Sequence, residues 1–268
     1  MTLKSILISF FLFLHYNLIF SQVSGYLGKR LFVNLNMAAC PALEGPTASN
    51  GGYGKLYGDA EKSFDITTKF GCQVGYAISR RSAITFSGEY FKTGLVTYLK
   101  TPSISGSSFN AYDEHYLFYN LNGYTFDFGI QNYKLQKGAI APMGKYFSYN
   151  FFVTSVTGTI VDKRTDYYDP TVNNHAKLGL NPTYITGGLG LEWGQNQIIS
   201  DKILLNFALR FNLTLGVLRV KDFDKGVGSL DVRNDYVAYN EAIFKLRAAE
   251  RILNHSLFMV KIGVGILK

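Results

Sequence analysis

Between Ser63 and Ala77 the chain reads SFDITTKFGCQVGYA, and its apolar side chains fall on even positions: Phe64, Ile66, Phe70, Cys72, Val74 and Tyr76. Ser63, Asp65, Thr67, Lys69 and Gln73 hold the odd ones. Successive side chains of a strand point to opposite faces, so this segment reads as a strand with one greasy face and one polar, charged face. The alternation lasts about 15 residues, against a usual strand of about 5–6. A strand this long, with one face wholly apolar, admits few architectures.

The same period of two recurs along the chain and marks eight strands. They fall at about Arg30–Ala38, the segment just quoted, Ala83–Tyr98, Asn122–Leu135, Lys145–Ile160, Thr183–Trp193, Ile203–Arg219 and Leu257–Leu267. The seventh is the clearest, with Ile203, Leu205, Phe207, Leu209, Phe211 and Leu213 opposed by Asn206, Ala208, Arg210, Asn212 and Thr214. The connections alternate in length. AISRRSA, QKGAIAPMGK and GQNQIISDK are short, whereas the stretches near Cys40–Lys62, Leu99–Leu121, Val161–Pro182 and Val220–His255 run to about 20–35 residues. Short turns at one end and long loops at the other are the organisation of an outer-membrane barrel, which also has an even strand number in bacteria.

The expected fold is therefore all-β: an eight-stranded antiparallel up-and-down transmembrane β-barrel with four long extracellular loops, one carrying a short helix. A soluble barrel of lipocalin type shares the period but turns its greasy face inward. Two features oppose it. The polar faces are rich in Ser, Thr, Asn and Gly rather than the Lys and Glu of a soluble coat. Bulky apolar residues on all eight strands would also overfill so narrow an interior.

The N-terminus, MTLKSILISFFLFLHYNLIFSQ, has Lys4 before an apolar run from Ile6 to Leu14 and a small residue, Ser21, at its end. This is the pattern of a secretory signal peptide over 1–21, with residues 22–268 as the barrel; the run is too short and too interrupted for a membrane helix. Charged residues are 17% of the chain, below the usual ~25% of soluble domains, while aromatics reach 15%. The formal charge of +8 suits anionic surroundings such as lipid headgroups. No nucleic-acid partner is expected of an exported chain. Cys40 and Cys72 form an even pair in an oxidising compartment, but Cys72 lies mid-strand on the apolar face, where geometry disfavours a disulfide.

GYLGKR (Gly25–Arg30), between the leader and the first strand, and AIAPMGKY (Ala139–Tyr146), before the fifth, resemble short recurrent elements of small outer-membrane β-barrel proteins of the Bacteroidota type, with an OmpA/OmpX-like eight-stranded organisation. The resemblance implies an outer-membrane location and no particular activity. The C-terminal KIGVGILK is similar to the closing-strand signal read by barrel-assembly machinery, with Lys261, Gly263 and Ile266 in its polar, glycine and hydrophobic places. Lys268 stands where such signals usually end in an aromatic residue.

The polar faces carry Asp65, Lys69, Glu89, Asp127, Glu192, Arg210 and Lys261. Eight strands leave a lumen that side chains just fill, so these charges are expected to pair as an interior plug. A narrow gated ion path along the same charges is the functional alternative. Tyr112, Tyr116 and Tyr119 make the second long loop a candidate contact surface, since tyrosine offers contact area at low entropic cost. YNEAIFKLRAAERILN (Tyr239–Asn254) repeats Ala242, Ile243, Leu246, Ala249, Ile252 and Leu253 at helical spacing, as a helix over the barrel mouth or facing a partner.

Catalytic and metal readings fare worse. Asp113-Glu114-His115 are adjacent on one loop and do not converge, and the neighbours His255 and Ser256 at the start of the last strand point apart. DFDKGVGSLD (Asp222–Asp231) has its glycine one place early for a calcium loop, with Arg233 where a bidentate acid is required. TDYYDP (Thr165–Pro170) reads as a turn. No catalytic residue, metal or cofactor is expected. The leading expectation is an envelope scaffold or surface-loop binding protein, with outer-membrane lipid, the assembly machinery and an extracellular or envelope protein as partners. A small channel or solute transporter and a lipid-modifying enzyme stand behind it.

Overall fold

The computed structural model describes residues 28–42, 65–102, 112–134, 140–165, 181–200, 202–215 and 236–268. The expected leader, and the segments 166–170 and 222–231, lie outside these described residues. The elements are β1 (Leu31–Ala42), β2 (Asp65–Ala77), β3 (Ser82–Pro102), β4 (Tyr112–Tyr133), β5 (Gly144–Thr165), β6 (Thr183–Ile198), β7 (Ile203–Thr214), α1 (Tyr236–Ser256) and β8 (Phe258–Leu267). Each strand pairs antiparallel with the next in sequence, and β1 also pairs with β8, from Phe32 opposite Leu267 to Ala39 opposite Val260. The sheet is thus a closed eight-stranded barrel, and closure removes the edges that an open sheet would expose.

The dyad pattern maps directly onto this wall, with its sense reversed relative to a soluble barrel. On β1, Leu35 is 70% exposed and its neighbour Asn34 is fully buried. Phe70, Phe126, Phe151, Leu189, Phe207 and Val264 likewise face out, while Gln73, Ser87, Thr125, Ser148 and Asn206 face in. Cys40 turns inward and Cys72 outward, so the two are on opposite faces of the wall and both are free.

Two expectations are corrected. Residues 112–121 are not loop: β4 begins at Tyr112, opposite Pro102, and Asp113, Glu114 and His115 sit in the ladder opposite Thr101, Lys100 and Leu99. Alternation fades there because strand residues beyond the apolar belt need no greasy face, so the period lost its signal while the hydrogen bonding continued. The helix begins earlier than expected, at Tyr236, and its buried face is Phe244, Ala248, Ala249, Arg251 and Ile252, with Leu246 and Leu253 only partly covered. That face enters the barrel mouth and packs on Phe91, Leu95, Tyr119, Leu121 and Val156.

The other end is closed by residues 140–143, which tuck under the barrel. Ala141 and Pro142 are buried, and the Ala141 amide donates to the Arg80 carbonyl at 2.9 Å. Gly144, at φ +102°, turns the chain into β5 in a conformation other residues rarely adopt. Ala141 joins Phe32, Tyr133, Tyr146, Leu204 and Leu267 in an apolar cluster at this end.

Inward glycines decide how the lumen accommodates its large side chains. Phe32 lies over Gly75, Phe91 over Gly123, Tyr146 over Gly194 and Phe152 over Gly188, and in each case the two are direct cross-strand partners. The ring occupies the space a side chain would fill, the device by which aromatics cover sheet glycines. A Cβ on Gly123 would sit 2.1 Å from Phe91 Cζ, whereas one on Gly88 would meet nothing nearer than Phe126 Cε1 at 3.6 Å. Gly123→Ala should therefore cost about 1–3 kcal/mol through overpacking, and Gly88→Ala should be close to neutral. Urea unfolding of the refolded barrel, followed by tryptophan fluorescence, measures both.

Candidate functional site in the barrel lumen

The lumen is filled in three layers. In the middle lie Lys69 from β2, Glu89 from β3, Asp127 from β4, Glu192 from β6, Arg210 from β7 and Lys261 from β8, all at most 4% exposed. Three carboxylates face three cations. Arg210 and Asp127 form an ion pair between strands that are not neighbours, so it spans the lumen. Ser87 Oγ donates to the other Asp127 oxygen at 3.1 Å, and Arg210 Nε donates to Asn212 Oδ1 at 2.8 Å. Lys261 Nζ stands 3.7 Å from Glu89 Oε1 and 3.9 Å from Glu192 Oε2, bridging two more strands across the ring. Lys69 Nζ lies 4.8 Å from the centre of the Phe91 ring, and Arg210 Cζ lies 5.7 Å from that of Phe152. Each aromatic face thereby offers its negative potential to a desolvated cation.

Beneath this layer, towards the short turns, is a network of neutral donors and acceptors. Tyr146 OH donates to Glu192 Oε1 at 2.8 Å and receives Asn206 Nδ2 at 2.8 Å. Asn196 Nδ2 donates to Tyr133 OH at 2.9 Å and to the Pro142 carbonyl at 2.8 Å, which ties the tucked connection to β6. Tyr133 OH in turn donates to Gln131 Oε1 at 2.7 Å. Above the charges, Arg251 of α1 directs Nη2 at Thr93 Oγ1, 2.7 Å away, and Thr93 meets Thr67 at 3.2 Å. The buried arginine of the helix is met by the Thr93 hydroxyl of the barrel wall. The Phe244 ring fills the space above Gly158 and lies 5.0 Å from the ring of Tyr119.

Of the residues singled out from sequence, Lys69, Glu89, Asp127, Glu192, Arg210 and Lys261 are brought together inside the ring. Asp65 is the first residue of β2, opposite Ala42, and its side chain lies outside the description. Tyr112, Tyr116 and Tyr119 all belong to β4 rather than to a loop. Tyr119 is 2% exposed under α1, so it is a core residue of the mouth and not a contact surface; a β-bulge at Phe118/Tyr119 accompanies its turn inward. The side chains of Tyr112 and Tyr116 lie outside the description. His255 and Ser256 belong to the end of α1 rather than to the start of the last strand, and the Ser256 hydroxyl donates to the Ile252 carbonyl one turn back. Among the described residues no three His, Cys, Asp or Glu converge as a metal site.

Tyr133, Tyr146 and Asn196 were missed because attention to charge passes over neutral groups. Strand parity held the signal: Tyr146 shares its face with Ser148 and Asn150, and Asn196 with Glu192. On the outside, Tyr124 and Trp193 are half exposed, and Phe147 meets Trp193 edge-on at 5.1 Å.

No family model and no curated protein matches the chain. Among solved structures, it is similar to Ail, the attachment invasion locus protein of Yersinia pestis, crystallised with the heparin analogue sucrose octasulfate, at 6% identity and TM-score 0.40, covering 89% of this chain and 97% of that one. OprG of Pseudomonas aeruginosa gives 9% identity and TM-score 0.40, with 92% and 98% covered. The N-terminal β-barrel domain of Pseudomonas aeruginosa OprF gives 6% identity and TM-score 0.35, with 90% and 98% covered. None of these supports a Bacteroidota-specific type, and the barrel stands on the strand pairing of this chain itself.

The charge layer makes a sharp demand. Arg210→Met strands the Asp127 carboxylate in the lumen and should cost about 3–5 kcal/mol, whereas Arg210→Met with Asp127→Leu should recover most of that loss. Denaturant unfolding of the two refolded variants in parallel separates an uncompensated charge from a lost contact.

Proposed function

We propose that this chain is an integral outer-membrane barrel serving as a rigid, non-catalytic scaffold that presents its long connections at the cell surface. The observation that carries the proposal is the inversion of the wall: large apolar side chains on every strand face outward around a ring whose interior is polar and filled. Monomeric soluble proteins rarely expose contiguous apolar patches larger than a few hundred Å², and a complete apolar belt has lipid as its natural counterpart. The length of β8, 10 residues, matches the ~9–11 a tilted strand needs to cross a bilayer. Among the described residues no helix is long and apolar enough to cross one.

The scaffold reading follows from the filling. Ala141 and the cluster around it block the short-turn end, the paired charges occupy the middle, and α1 sits in the mouth. A channel would draw on the same charges, but each end of the route is occupied by packed side chains. Rigidity is the mechanism: a wall closed by hydrogen bonds and braced by ion pairs across its lumen keeps its connections at fixed spacing.

The intact barrel should fractionate with the outer membrane, shift its gel mobility on boiling, and show negligible conductance in planar bilayers. Steady channels abolished by Arg210→Ala or Glu89→Gln would replace the scaffold reading with transport. Recovery in the soluble periplasm would end the membrane reading.

A further inference from the structure

Three adjacent ladder rows cross β5 to β8 on one side of the barrel. The middle row, Tyr146–Gly194–Ala208–Lys261, turns its side chains into the lumen, so the outer wall there shows backbone and small groups. The row towards the mouth, Phe147–Trp193–Leu209–Val260, projects outward as a tall apolar wall. The row towards the turns, Lys145–Gln195–Phe207–Ile262, is polar over β5 and β6 and apolar over β7 and β8. Between the two projecting rows runs an open furrow of about 670 Å³, within the range usual for small-molecule sites.

The furrow is amphipathic along its length. Its polar end holds Lys145 and, across the β4–β5 ladder, Lys134, both exposed on the outer face at the turn-side rim; the Lys134 amide donates to the Lys145 carbonyl at 2.9 Å. Among the described residues neither lysine makes an ion pair. Two like charges held side by side repel, and an anion between them removes that cost. The apolar end reaches Ile262, five residues inside the end of β8, or about 17 Å along the strand. A cationic clamp at the rim with an apolar track leading into the belt has the shape of one lipid molecule.

We propose that this furrow is a binding site for an anionic glycerophospholipid, its phosphate held between Lys134 and Lys145 and one acyl chain laid against Trp193 and Leu209. The inference rests on the membrane reading above and adds to it a preferred ligand and a defined place on the wall. Bound there, the lipid would cover a furrow that passes from charge to hydrocarbon across β5–β8, fixing the barrel's depth in the leaflet on its short-turn side.

The chain contains a single tryptophan, Trp193, and it stands in the furrow wall. Its fluorescence therefore reports directly on what occupies the site. The full-length barrel is reconstituted into vesicles of phosphatidylcholine and phosphatidylglycerol at fixed mole ratio, with the acyl chains of one or the other brominated. Brominated phosphatidylglycerol should quench Trp193 with an apparent affinity about five-fold or more above that of brominated phosphatidylcholine, the preference that a basic residue near an anionic headgroup supplies. Lys134→Gln with Lys145→Gln should bring the ratio to one, while Lys202→Gln, on the exposed β6–β7 turn at the same end, should leave it unchanged. Equal quenching by both lipids in the native protein would overturn the site while leaving the barrel in the bilayer. A preference that survives the double substitution, or falls equally with Lys202→Gln, would reduce it to general surface charge and overturn it too. Quenching by neither lipid would overturn the membrane reading and this inference with it.

Discussion

Eight strands closed into a ring leave an interior of side-chain width, with little room for bulk water. A polar group turned inward therefore depends on the other inward side chains for its partner, because the solvent that would otherwise satisfy it is excluded. Most of the lumen can be read as the consequence. Arg210 reaches past its neighbours to Asp127, Lys261 stands between Glu89 and Glu192, and Tyr146 connects the charged layer to the amides of Asn206 and Asn196. Large rings fit only where the facing strand supplies a glycine, as Phe32 does over Gly75 and Phe91 over Gly123.

The same narrowness governs both ends. A tube of polar groups open to water would lose the low dielectric that makes its ion pairs strong. Here the ends are apolar and occupied, one by Ala141 and its surrounding cluster, the other by the Phe244 and Ile252 face of α1. The helix is held in place by specific features of the wall: the Phe244 ring fills the space above Gly158, and Arg251 is received by Thr93. The filled interior and the apolar exterior are two sides of one alternation, so the property that turns large apolar side chains outward also stocks the lumen with braces.

The outer surface is less uniform than its composition suggests. Over β5–β8 the ladder rows align so that aromatic residues stand on one side of a furrow and two lysines mark its rim. None of these residues is unusual singly; an exposed lysine at a turn or a phenylalanine on a greasy face is ordinary. Register alone brings Lys145, Gln195, Phe207 and Ile262 into one line.

Local pattern determined a good deal about this protein. The period of two identified eight strands and assigned Glu89, Asp127, Glu192, Arg210 and Lys261 to the polar face, because the direction of a side chain depends only on its parity within its strand. Tertiary structure alone decided which of those residues meet, since a pair such as Arg210 and Asp127 is set by ring closure and by registers accumulated over intervening strands. It also decided that β4 begins at Tyr112, that Tyr119 is buried, and that the helix presents Phe244 and Arg251 to the lumen. Those residues lie where the greasy–polar alternation gives way to contacts between elements distant in sequence, and a pattern confined to neighbours along the chain carries no record of such contacts.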